Sequence, residues 1–229
     1  MKQVILTAIL VWFAIVSLSA IDAQMKDLGA YVDTLRVHAK NGKANAQYEL
    51  GVLYFEGIVL TQNFDEAFKL FKAASDKKHI DAQVMLALCY KNGSGTTKNL
   101  KEAVKLFTDA ANKKNTKAQY NLGVLYYNGE GVAANNKEAV KWFKLASEAG
   151  HYEAQSNLGL CYYEGTGVAV DYSESYYWLA LAAKLCPPVY EEEYIAISDK
   201  SKVELTEAQI SAVDKRIEEW LSKHNKSEK

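Results

Sequence analysis

Apolar and small residues recur along this chain at helical spacing. Ala46, Leu50 and Tyr54 stand at i, i+4 and i+8, and Ala67, Phe71 and Ala74 follow with a similar stripe. Each set marks one face of an amphipathic helix. Both stripes return every 36 residues: Ala-Gln occurs at 46, 82, 118 and 154, with Leu50, Leu86, Leu122 and Leu158 and then Tyr54, Tyr90, Tyr126 and Tyr162 in register. In the second stripe Ala67, Ala103 and Ala139 align with Ser175, and Phe71, Phe107 and Phe143 with Leu179. Four copies at one period define a repeat architecture whose unit is a helix-turn-helix hairpin.

Local chemistry places the ends of these helices. Gly57, Gly93, Gly129 and Gly165 share a column at the end of the first helix, where left-handed backbone stops a helix and turns the chain. A second glycine follows at 95, 131 and 167, but Val59 takes that place in the first unit. Asn63, Asn99, Asn135 and Asp171 are suited to cap the second helix by accepting from its free amides. Gly51, Gly123 and Gly159 fall inside the first helix, where glycine costs about 1 kcal/mol relative to alanine. Close approach of the paired helix is the expected compensation. Lys77, Lys78, Lys113 and Lys114 fall at second-helix ends and read as charges that complement the helix dipole.

The pattern A-x-x-x-L-G-x-x-Y-x-x-G-x-G-V followed by K-E-A-V-K-W-F-K-x-A, as it stands from Ala118 to Ala146, resembles the Sel-1-like repeat family, a relative of the tetratricopeptide repeat. The resemblance implies an all-α fold: an α/α solenoid, wound as a right-handed superhelix, of about four 36-residue helix-turn-helix repeats with a C-terminal capping helix. The units would be 44–79, 80–115, 116–151 and 152–184. Residues 24–43 would form an N-terminal capping or degenerate repeat helix, and 185–229 C-terminal capping helices with a mobile tail from Lys223. Thr206 is the expected N-cap of the final helix. The resemblance also implies an adaptor or scaffold role that names no partner.

The first 23 residues read differently. Lys2 precedes an apolar run from Val4 to Val16, then Ser17, Ser19, Ala20 and Ala23 offer small residues for cleavage. This is the pattern of a secretory signal peptide, and the run is shorter than the roughly 20 residues of a comfortable membrane span. An exported chain is expected, periplasmic or secreted, or in the endoplasmic reticulum lumen if eukaryotic, with no stable membrane span after cleavage.

A net charge of -1, with 24% charged and 49% hydrophobic residues, argues against disorder and against nucleic-acid binding by bulk charge. Candidate chemistry is sparse. Cys89 and Cys161 share a column two units apart, too far for a disulfide, and read as small core residues, while Cys186 stands alone. His38, His79, His151 and His224 fit no metal-ligand spacing, and His79 and His151 share a column between units. Neither a metal nor a cofactor is expected, and no catalytic residue is assigned. Ser75 and Lys78 fit S-x-x-K, and some relatives have been discussed as β-lactamase-like, so an envelope enzyme of the β-lactamase or cell-wall type is the alternative function. Neither S-D-N nor K-T-G accompanies the match.

The favoured function is noncatalytic binding of a protein or peptide segment. In tetratricopeptide-like hairpins the first helices line a concave groove. The positions offset from the Leu and Tyr columns are Tyr48, Val52 and Phe55; Val84, Leu88 and Lys91; Tyr120, Val124, Tyr127 and Asn128; and Ser156, Leu160, Tyr163 and Glu164. Tyrosine suits recognition because it offers a large ring with a hydrogen-bonding tip and little rotamer entropy to lose.

Overall fold

The computed structural model describes residues 18–224, and eleven helices and no strand are found among them. They are α1 (Leu18–Lys40), α2 (Ala44–Glu56), α3 (Phe64–Asp76), α4 (Ile80–Asn92), α5 (Leu100–Asn112), α6 (Thr116–Asn128), α7 (Asn136–Glu148), α8 (Tyr152–Glu164), α9 (Tyr172–Leu185), α10 (Pro188–Lys202) and α11 (Glu207–His224). The first seventeen residues of the expected leader lie outside the described residues; the rest of it falls in the first turns of α1. None of the described helices is long and apolar enough to cross a membrane. The chain divides into two compact units, Met1–Ala82 and Gln83–Lys229.

In the first unit α1, α2 and α3 pack in sequence order around Leu35, Ala39, Ala46 and Leu50. In the second, α5 to α9 stack likewise, and α10 and α11 both pack on α9. Its core gathers Phe143, Leu158, Cys161, Tyr176, Trp178 and Leu181 with Val213 and Ile217 from α11. Burying such side chains is the main source of stability, and each is worth roughly 1.5–3 kcal/mol.

The hairpin is held by three kinds of contact. At the helix crossing, Phe71, Phe143 and Leu179 are almost wholly buried, and each lies where the facing first-helix residue is Gly51, Gly123 or Gly159. A Cβ at Gly123 would stand 2.6 Å from the Phe143 ring. At the turn, the backbone amide of each capping residue donates to the carbonyl of the Tyr column: Asn63 to Tyr54 (2.9 Å), Asn99 to Tyr90 (2.8 Å), Asn135 to Tyr126 (2.9 Å) and Asp171 to Tyr162 (3.0 Å). The same residues then cap the second helix, their side chains accepting from Glu66, Glu102, Glu138 and Glu174 N at 3.0–3.2 Å. The expected caps are therefore present, and each also closes its turn.

Buried glutamine joins one hairpin to the next. Gln47, Gln119 and Gln155 donate from Nε2 to the carbonyls of Ala39, Ala111 and Ser147, satisfying acceptors in the last turn of the preceding helix. The Oε1 of Gln47 accepts from Lys77 Nζ (3.1 Å) and that of Gln83 from Lys113 Nζ (3.0 Å). These lysines, expected as dipole-complementing charges, are thus directed partners of a buried amide; Lys77 Nζ also donates to the Gly42 carbonyl. At the corresponding step from Gln155 the chain carries Leu185, and Gln155 Oε1 has no hydrogen-bond partner among the described residues. Lys78 and Lys114 take left-handed backbone, φ 66° and 63°, in the column that Gly42 and Gly150 also occupy.

The histidine column proves to be a joint as well as a loop. His79 stacks on Tyr48, with centroids 4.7 Å apart and planes at 24°, and its Nδ1 accepts from Ala82 N. His151 stacks on Tyr120 at 4.5 Å and 22°, with its Nδ1 3.1 Å from a Glu153 carboxylate oxygen. Where Tyr gives way to Val84 and Ser156, the matching positions are Asn115 and Pro187. Asn115 caps α6 through its side chain, which accepts from Ala118 N.

The second unit ends in helices that the repeat does not encode. Ser175, which replaces alanine in its column, shares a buried 2.7 Å hydrogen bond with Ser201 of α10. Thr206 and Gln209 form a reciprocal capping box at the start of α11. Tyr176 donates to Asp214 (2.6 Å), and Arg216 pairs with Glu174 (2.6 Å) while lying over the Tyr177 ring. The last helix runs through His224, whose ring stacks on Trp220 at 3.6 Å; the rest of the tail expected to be mobile, residues 225–229, lies outside the described residues.

Two predictions follow from these joints. Gly131 has φ 74°, and a Cβ there would stand 2.6 Å from the Leu100 backbone, so Gly131→Ala should cost about 2 kcal/mol in urea unfolding. A loss below about 0.5 kcal/mol, the scale of ordinary surface changes, would contradict that close approach. His151 is held below its ordinary range chiefly by burial, then by Lys117, against the opposing Glu153 carboxylate. A lowered folded value favours the neutral ring, so its contribution is full above the unfolded value of about 6.5 and is lost as pH falls through the folded one. The Tm gap between wild type and His151→Asn should therefore narrow on going from pH 8 to pH 5, whereas a constant gap would exclude the titration.

Candidate functional site

The offset positions of the first helices do not all behave alike. In the first unit Tyr48, Val52 and Phe55 are half-buried, Tyr48 under His79 and Phe55 edge-on to Phe64 at 5.2 Å. In the second unit Val84 is buried, while Leu88 and Lys91 are half-buried; Lys91 Nζ reaches Asn121 Oδ1 at 3.5 Å. Ser156 is buried as well, because α10 covers it: the Ser156 hydroxyl supports the Tyr194 phenol, and Tyr194 lies edge-on to Tyr152. Tyr163 is half-buried and edge-on to Tyr172 at 5.7 Å.

The remaining residues of the set come together. Tyr120, Val124, Tyr127 and Asn128 from α6 and Leu160 and Glu164 from α8 line one cleft of about 280 Å³, completed by Phe143, Asn157 and Cys161. The two walls are helical stripes: 120, 124, 127 and 128 on one side, 157, 160, 161 and 164 on the other. Phe143 forms part of the floor because Gly123 lets α7 come close beneath α6. Asn157 and Cys161 were legible as the i-3 and i+1 neighbours of Leu160, whereas Phe143 reaches the cleft only through the pairing of the helices.

The aromatic residues of this wall differ in freedom. Tyr120 is fixed by its stack on His151, and burial raises its phenol while a hydrogen bond from Asn157 opposes the rise. Tyr127 is 43% exposed, because the residue at the start of its second helix is Asn136, where Phe64 and Tyr172 stand against Phe55 and Tyr163. Burial and then the Glu164 carboxylate raise the Tyr127 phenol, so both hydroxyls stay protonated near neutral pH. Cys161 is pushed up by burial to about 11 and is a neutral thiol there. The cleft is thus an apolar trough with an open ring and a carboxylate at its rim.

Other features carry less. A larger hollow of about 530 Å³ between α7, α9 and α11 holds Glu174 and Arg216, but these charges pair with each other and seat the capping helix. Ser75 is buried, and Lys78 N donates to its carbonyl at 2.8 Å, a helix-ending turn. Cys89 and Cys161 are buried free thiols and Cys186 is a partly exposed one. No cluster of metal-ligating side chains occurs among the described residues.

Comparison with known proteins agrees with this repeat geometry. A family model of the Sel1 repeat matches residues 44–79, 80–115, 116–151 and 153–185. A protective antigen of uropathogenic Escherichia coli strains, c5321, with an SLR fold, is 38% identical over 67% of this chain and 33% of its own, with a TM-score of 0.64. A Sel1 repeat protein from Oxalobacter formigenes is 30% identical over 69% of this chain and 65% of its own, also at 0.64. The chain therefore spans about a third of the first and just under two thirds of the second. None of the curated proteins compared matches it. Sel1 repeats are commonly protein-interaction scaffolds. With four matched repeats over more than half its length, the chain belongs to the Sel1 repeat family.

Proposed function

We propose that this chain is an exported, noncatalytic adaptor that holds a segment of a protein partner in the cleft between α6 and α8. The observation that carries the reading is the cleft itself: an open tyrosine, two half-buried aliphatic side chains and a rim carboxylate on a rigid two-helix wall. Such a mixture of aromatic anchor, apolar floor and polar rim favours protein recognition. Work is done by binding alone, with no bond made or broken.

Export rests on the apolar run behind Lys2 and the small residues that follow it.

Two measurements test the reading. Crosslinked capture from the native envelope fraction should lose its partner by about tenfold in a Tyr127→Ala/Leu160→Ala variant of unchanged helicity; equal capture would move the interface off the cleft. N-terminal sequencing of the chain recovered from its host should begin between Ala20 and Gln24, and recovery of an intact Met1 would overturn export by cleavage.

A further inference from the structure

The rim of the α6–α8 cleft is one-sided in charge. Among its nine lining residues Glu164 alone carries a formal charge, since the Cys161 thiol is neutral. Several rim donors are engaged. Asn128 Nδ2 donates to Glu130 Oε1 at 3.0 Å, Thr166 Oγ1 donates to Glu164 Oε2 at 3.3 Å, and the Asn157 amide serves the Tyr120 phenol. Two acceptors, Glu164 Oε1 and Asn128 Oδ1, stand on exposed residues, and neither atom has a hydrogen bond among the described residues. Beside them stands the open face of Tyr127.

A rim carboxylate beside an exposed ring, above an aliphatic trough, complements one side chain best. Arginine presents a planar fork of five donors, stacks on aromatic faces and carries an apolar stem, whereas lysine offers a point charge that prefers water. A phosphate-bearing or acidic ligand would meet the Glu164 carboxylate with no cation in the lining to offset it.

We propose that the cleft is an arginine-specific subsite: the partner segment lays an arginine stem along Val124 and Leu160 and sets its guanidinium against Glu164 and across Tyr127. This rests on the adaptor reading above and adds to it the chemical class of the partner. The Glu164 contact is charge-assisted, and Tyr127 adds a cation–π contact; both are partly shielded by the cleft walls.

The test is selection of random dodecapeptides displayed on phage against the purified chain, followed by synthesis of the recovered peptides and anisotropy titration. Recovered peptides should carry arginine beside an apolar residue. Glu164→Gln, a nearly isosteric change at an exposed site, and arginine→alanine in the peptide should each weaken binding about tenfold, and combining them should cost little more than either alone. Glu164→Lys should abolish binding of the same peptides. Peptides that lack arginine and ignore Glu164→Gln, yet are lost in Leu160→Ala of unchanged helicity, would overturn the arginine subsite and leave the adaptor reading standing. Peptides indifferent to both substitutions, or recovery of none, would overturn both.

Discussion

Everything in this chain depends on how closely two helices approach at one point in each hairpin. A phenyl ring or leucine occupies the space that a side chain would fill if Gly51, Gly123 or Gly159 were larger. That single absence sets the spacing of the pair. With the spacing set, the capping residue's amide reaches the tyrosine carbonyl, the second helix starts in register, and the opposite flank of the first helix is presented outward. The second repeat has Ala87 at the matching step, and both Ala87 and Phe107 are fully buried, so a small residue again accompanies a large one.

The candidate site inherits its form from this constraint. Phe143 comes through to the floor because Gly123 leaves the way open, and the α6 wall then has a firm base. What differs from unit to unit is the ring at the end of the first helix. Where the next helix begins with Phe64 or Tyr172, that ring is taken into an edge-on pair; where it begins with Asn136, Tyr127 is left open. Tyr127 thus rests on Phe143 beneath it but lacks the edge-on neighbour that Phe55 and Tyr163 have.

Much of the fold was legible because repetition turns a weak local signal into a strong one. Asparagine four residues before a conspicuous Ala-x-x-x-Phe stripe, seen once, is a guess; seen at 63, 99 and 135, with Asp171 in the fourth copy, it is a cap. The candidate site was only half legible. Tyr127, Asn128, Leu160 and Glu164 could be placed by helical phase, but Val84 and Ser156 share that phase and are buried. For Ser156 the reason is α10, whose packing no repeat column announces. Lys77 and Lys113 do stand at the helix ends, but their second role was hidden: charge there has a sufficient local explanation, and the glutamine each one serves lies thirty residues earlier. Contacts between neighbouring turns of a helix are written in periodicity, whereas a contact between the two ends of a hairpin, or one made by a helix outside the repeat, is not.

The ring stacks have a consequence for modularity. Tyr48 and His79 fall inside the same 36-residue block, as do Tyr120 and His151, and Val84 and Asn115 do so without a stack. A block copied, lost or transplanted between residues 44 and 79 therefore brings both halves of its joint along, and its last residue also supplies the acceptor for Ala82 N at the head of the helix that follows. Breakpoints placed after this histidine would yield matched joints whatever block came next, whereas breakpoints inside a hairpin would set tyrosine against asparagine.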